Sequence, residues 1–88
     1  MIVSKLIIKN KYGLHARPAA LFVQTASKYD ADVIISKDGL EVNGKSIMGV
    51  MMLAAEMGSK IVLKVDGNEE KEMMHALTDL LEDKFNEE

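Results

Sequence analysis

Apolar side chains recur along this chain first at every second position and then at every third or fourth, and the switching between these two periods divides it into seven segments. From Ile2 to Lys9, Ile2, Leu6 and Ile8 share one side and Lys5 and Lys9 the other, which predicts a strand with one buried face, blurred only by Ile7. Asn10 to Gly13 reads as a turn, after which Ala19, Phe22, Val23 and Ala26 keep helical spacing to about Ser27. Val33 to Lys37 and Leu40 to Asn43 flank Asp38-Gly39, a dipeptide that accepts the positive φ angles of a two-residue loop, so these runs predict a hairpin. Gly44-Lys45-Ser46 ends it and sets the Ser46 hydroxyl at the N-cap of a short helix over Ile47 to Leu53, in a segment closed by Gly58. Lys60 to Asp66 alternates again, with Ile61, Leu63 and Val65 on one face. Gly67-Asn68 is a turn; Glu69 and Glu70 then suit a helix N-terminus, and Met73, Leu77, Leu80, Leu81 and Phe85 carry a long final helix.

The order βαββαβα supplies three amphipathic helices for one face of a small sheet, an α+β sandwich. With 88 residues, 48% apolar and 28% charged, and no internal repeat or linker, the chain is expected to form one domain over residues 1–88. A domain of this size has little room for a deep cleft, which moves function to the surface. The absence of cysteine removes disulfides, thiolate metal sites and cysteine nucleophiles, and suits a reducing cytoplasm. The net charge of -3 and scattered Lys and Arg residues speak against nucleic acid as a partner, and no run approaches membrane-spanning length or resembles a signal peptide. The acidic end Asn86-Glu87-Glu88 is expected to fray.

The segment Gly13-Leu14-His15-Ala16-Arg17-Pro18-Ala19-Ala20 carries the chemistry. Proline suits a first helical turn, where its missing N–H costs nothing, so the helix is expected to start just before Pro18 with His15 at or near the N-cap. Free N–H groups and the positive end of the helix dipole then favour an anion attached to His15. The same dipole disfavours a cation, which leaves a neutral imidazole with a lone pair, a nucleophile. Arg17 is placed to clamp phosphoryl oxygens and offset charge during transfer.

This run resembles the active-site signature of HPr, the family of histidine-containing phosphocarrier proteins of the bacterial sugar phosphotransferase system. The likeness extends through Gln24-Thr25-Ala26-Ser27-Lys28-Tyr29-Asp30-Ala31-Asp32-Val33 and Lys45-Ser46-Ile47-Met48-Gly49-Val50-Met51, nearly the whole chain. Gly44 departs from it, since the family more often has a larger residue there. The resemblance implies a four-stranded antiparallel sheet with three helices on one side, an open-faced β-sandwich. It implies that His15 accepts a phosphoryl group through Nδ1 with help from Arg17, without a cofactor or a metal. The donor would be enzyme I, charged from phosphoenolpyruvate, and the acceptors the IIA domains of sugar permeases. The chain would thus be a monomeric phosphoryl carrier, substrate and donor for other enzymes rather than an enzyme itself.

Ser46 is accounted for structurally by capping, worth about 1 kcal/mol against alanine. Its surroundings also resemble the regulatory segment of HPr from low-GC Gram-positive bacteria. That likeness implies phosphorylation by a bifunctional HPr kinase/phosphorylase, with the modified form assisting a catabolite-repressor protein. Ile47, Met48, Val50, Met51, Met52, Leu53 and Met57 are too many apolar residues for a short helix to bury on one face. About half are expected in the core, and the remainder, with Ile47, Met48 and Met51, form a docking surface that the likeness places beside His15. Gly39 to Ser46 matches the pattern of a nucleotide-binding loop, but Leu40 and Val42 alternate as a strand and the chain lacks a parallel sheet. His75 has no second His or Cys at helical spacing and reads as a solvated helix face. Two other readings stand beside the sugar-system carrier: a regulatory HPr-like module acting through Ser46, and a carrier in a nitrogen-related or dihydroxyacetone-linked phosphorelay.

Overall fold

Residues 1–86 are described by a computed structural model, and the elements follow the expected order. They are β1 (Ile2–Ile7), α1 (Ala16–Ala26), β2 (Asp32–Lys37), β3 (Leu40–Asn43), α2 (Ile47–Met52), β4 (Lys60–Asp66) and α3 (Glu70–Glu82). All strand pairs are antiparallel, in the spatial order β1-β4-β2-β3. The last strand in the sequence is therefore central, with Leu63 opposite Ser4 of β1 on one side and Ile35 of β2 on the other.

Strand alternation decides which face is covered. Val33 and Ile35 of β2 and Ile61, Leu63 and Val65 of β4 are buried against Ala19, Phe22 and Ala26 of α1, Val50 of α2, and Met73, Leu77 and Leu81 of α3. On the opposite face, Val3, Lys5 and Ile7 of β1 meet solvent. The fold is thus the expected open-faced sandwich of four antiparallel strands and three helices. The helices each contribute one apolar stripe to a shared core, and the charged residues around them are turned outward.

The hairpin turns as predicted, with Asp38 at φ 52° and Gly39 at φ 85°. The phosphate-loop pattern accordingly spans a turn, the edge strand β3 and the cap of α2. Gly44 is buried, and a Cβ built on it would stand 2.7 Å from Val33 Cγ1 and 3.2 Å from the Phe22 ring. Close packing, rather than a loose loop, explains the small residue there.

The end of α3 departs from the periodicity reading. The α-helix stops at Glu82, and Lys84, Phe85 and Asn86 take left-handed φ angles of 55°, 55° and 62° in a tight turn. Phe85 is nevertheless buried. Apolar spacing reports that a side chain returns to the core, and both a continued helix and a reversed turn satisfy it. Glu87 and Glu88 of the tail expected to fray lie outside the described residues.

The two faces predict opposite mutational costs. Leu63→Ala, in the middle of the central strand, is expected to lower unfolding free energy by about 2–5 kcal/mol in urea titration. Ile7→Ala on the open face is expected to stay within about 0.5 kcal/mol of the parent.

Candidate functional site

The connection from β1 to α1 is built by main-chain bonds. Asn10 is fully buried; its Nδ2 donates to the Gly13 carbonyl (2.7 Å), and the Gly13 amide donates to the Asn10 carbonyl (3.2 Å). Gly13 has φ 68° and lies so close to the segment after α2 that a Cβ would be 2.2 Å from the Ala55 carbonyl oxygen. That oxygen accepts the Leu14 amide at 2.8 Å, and the Leu14 side chain is buried beside it. The loop before His15 is thereby clamped onto the loop after α2.

His15 emerges from this clamp as the N-cap of α1, with extended φ and ψ of -78° and -173°. Its carbonyl accepts the Ala19 amide at 2.9 Å, the first bond of the helix, while its side chain makes no capping bond. Pro18 falls at the third helical position and brings no N–H. Among the described residues, the amides of Ala16 and Arg17 make no backbone hydrogen bond, so two donors at the positive end of α1 face outward unused. His15, Ala16 and Arg17 are all exposed, and Arg17 makes no hydrogen bond or ion pair to a described residue.

Aromatic and cationic groups frame the imidazole. The Tyr12 ring stands edge-on to His15, with centroids 6.1 Å apart and planes at 84°, an arrangement worth up to about 1 kcal/mol. Lys11 Nζ lies 5.4 Å from the centre of the Tyr12 ring. Tyr12, Leu14, His15, Met51, Ala54, Ala55 and Glu56 line a shallow depression of about 390 Å³. Larger open depressions of about 480 and 450 Å³ run along α3 past Lys71, His75 and Asp79, away from this chemistry. There His75 Nδ1 is 3.4 Å from Asp79 Oδ2, both well exposed on the helix surface.

Helix α2 supplies the other border. Ser46 caps it, its Oγ accepting the Gly49 amide at 3.1 Å, as the sequence predicts. Met51, nearer the C-terminal end, reaches the His15 depression, whereas Ser46 sits at the N-terminal end of the same helix. Only Val50 and Leu53 of the seven apolar residues in this segment are buried, fewer than the expected half; Ile47, Met48, Met51, Met52 and Met57 face solvent. Six residues make fewer than two turns, so α2 turns one narrow stripe to the core and leaves the rest outside.

Four contributors escaped the sequence reading. Asn10 and Tyr12 fall in a segment that the sequence marks only as a turn, where the Asn10 side chain closes the loop onto Gly13. Lys37 Nζ reaches across from β2 to the carbonyls of Leu53 (3.0 Å) and Ala54 (3.3 Å), placing a cation at the C-terminal end of α2. Ala54 holds a left-handed φ of 49° on the rim of the depression, without glycine to announce it. Neither long-range feature has a local sequence signal.

A shallow site of this kind suits exchange between protein surfaces better than enclosure of a small substrate. The family model described as PTS HPr component phosphorylation site matches residues 2–83. The phosphocarrier protein HPr of Xylella fastidiosa is 50% identical over 88 residues, covering 100% of this chain and 99% of that protein. The HPr-like protein Crh of Halalkalibacterium halodurans is 50% identical over 82 residues, 93% of this chain and 98% of that protein. A crystal structure of HPr-C-His from Thermoanaerobacter tengcongensis superposes with a TM-score of 0.96 at 52% identity, covering 100% of this chain and 99% of that one. The chain belongs to the HPr family of phosphocarrier proteins of the phosphotransferase system. A crystal structure of an HPr dimer from the same Thermoanaerobacter species, at TM-score 0.79 and 52% identity, covers 99% of this chain and 100% of that one. A monomer is therefore not general to the fold. Among the described residues no helix is long and apolar enough to cross a membrane.

The clamp before His15 has a direct test. Gly13→Ala combines a left-handed backbone with a collision at the Ala55 carbonyl, and is expected to cost more than about 1 kcal/mol in chemical denaturation. Amide resonances of Leu14 and His15 are expected to move with it.

Proposed function

We propose that His15 takes a phosphoryl group from enzyme I and passes it to IIA domains of sugar permeases, in the cytoplasm. The observation that carries this reading is the exposed imidazole at the N-cap of α1, beside two outward amides with no backbone partner among the described residues. In each transfer the Nδ1 lone pair forms a bond to phosphorus as the donor's bond to phosphorus breaks, and the group later leaves in the same manner. The Ala16 and Arg17 amides and the Arg17 guanidinium offset the charge on the equatorial oxygens. An anion held there also gains from the helix dipole, which balances acceptance against release.

Docking falls to the exposed apolar residues of α2, with Ile47, Met48 and Met51 as contacts. Flexible methionine side chains repack against surfaces of different shape, which suits one carrier to several partners. Ser46 serves regulation: a phosphate on its capping oxygen would meet the first amides of α2 and leave the fold standing, while placing negative charge beside the docking residues. That charge repels an acidic partner and favours an arginine-rich one, as required for HPr kinase/phosphorylase to redirect the protein to a catabolite repressor. The likeness to Crh supports a second reading, a regulatory module acting through Ser46 alone; an exposed His15 at a helix start favours the carrier.

Incubation with enzyme I and phosphoenolpyruvate is expected to yield an acid-labile, base-stable phosphate that is absent from His15→Ala. Retention of the label in that variant would remove the assignment. Arg17→Ala is expected to slow acceptance by roughly a hundredfold. Ser46→Asp keeps a capping oxygen, and so the fold, yet is expected to slow phosphorylation by enzyme I at least about tenfold. Ser46→Ala should leave that rate near the parent's and lower stability by about 1 kcal/mol.

A further inference from the structure

The chain holds seven methionines and no cysteine, and their distribution is uneven. Met73 and Met74 are buried in α3, and the exposed Met1 precedes β1. The other four gather in one short stretch: Met48, Met51 and Met52 on α2 and Met57 in the turn that follows, with exposures of 76, 41, 67 and 59%. Positions 48, 51 and 52 are three and four residues apart and share a helix face, and Met51 lines the His15 depression. Glu56, next to Met57, lines it as well.

A docking surface needs apolar area, which leucine and isoleucine supply without sulfur. Four accessible thioethers give this one a second property, since a thioether is oxidised in proportion to its exposure and the chain offers no thiol to consume oxidant first. We propose that Met48, Met51, Met52 and Met57 form an oxidation-sensitive patch, whose conversion to sulfoxides by peroxide suspends docking and hence phosphoryl exchange at His15. The inference rests on the carrier reading given above. In the reaction a sulfur lone pair attacks one peroxide oxygen and the O–O bond breaks. The hydroxide released takes the proton of the transferred OH and leaves as water. Sulfur is oxidised by two electrons, and hydrogen peroxide is reduced by two.

A sulfoxide replaces an apolar tip with a strong dipole that accepts hydrogen bonds from water. A partner that covers it must strip that water, and an apolar counterpart offers no donor in return. The core is spared because its two methionines are buried, so the fold persists, and of the exposed methionines only Met1 lies outside the docking face. Sulfoxide reductases, one for each epimer, make the change reversible.

The experiment treats the full chain with dilute hydrogen peroxide, maps oxidised residues by peptide mass spectrometry, and measures the initial rate of phosphorylation by enzyme I. The expected result is oxidation of Met1, Met48, Met52 and Met57 first, Met51 next, and Met73 and Met74 last. The treated protein should accept phosphate at least tenfold more slowly at low carrier concentration, with unchanged circular dichroism. Treatment with both reductases should restore its rate. A variant with leucine at all four positions retains the exposed Met1 and is compared only with its own untreated form; its rate should not change on oxidation. An undiminished rate after the four residues are oxidised would overturn the proposal, as would an equal loss in the leucine variant. Failure of the untreated protein to accept phosphate would overturn the carrier reading, and this inference with it.

Discussion

The amide of Leu14 donates to the carbonyl of Ala55 across 2.8 Å, and the placement of the whole site depends on this bond. It joins the loop before α1 to the loop after α2, two segments about forty residues apart that share no strand pairing. Gly13 permits the approach, Asn10 closes the loop from within, and Lys37 holds the end of α2 from the far side. A histidine on a freely moving loop would find the helix amides only part of the time. Here main-chain and side-chain hydrogen bonds tie the backbone that carries it to the rest of the fold.

From that constraint the electrostatics follow. The first turn of α1 contains Pro18, which has no N–H, and begins its own ladder at Ala19, so two amides are left over at the surface. They lie on the same helix end as His15 and Arg17, with Lys11 beside the ring of Tyr12. A protein with a formal net charge of -3 thus presents a local site suited to an anion. The apolar border from α2 is available because that helix is too short to bury its side chains. One structural economy, a six-residue helix, leaves Ile47, Met48, Met51 and Met52 exposed.

Much of this was legible in the sequence because it is locally encoded. Period-two runs marked β2, β3 and β4 to within a residue, Asp38-Gly39 marked the hairpin, and Pro18 after His15 marked the helix start. Ser46 announced its capping role through position and residue type together. What the sequence did not reveal is long-range or degenerate. The reach of Lys37 to Leu53 and Ala54 joins residues in different elements, and the left-handed φ of Ala54 occurs at a residue type that does not announce it. Phe85 was recognised as a core residue, but its left-handed turn produces the same apolar spacing as a helix. The extent of exposure on α2 was underestimated because hydrophobic residues at close spacing do not reveal how many the core can receive.

On the carrier reading, the phosphoryl group is held at the Ala16 and Arg17 amides, which make no backbone hydrogen bond among the described residues. Amide nuclear magnetic resonance spectra of the protein before and after phosphorylation by enzyme I test this most directly. The largest downfield shifts, and slowed hydrogen exchange, are expected at Ala16 and Arg17, with smaller changes elsewhere. Unaltered Ala16 and Arg17 amides in a fully phosphorylated sample would contradict that placement.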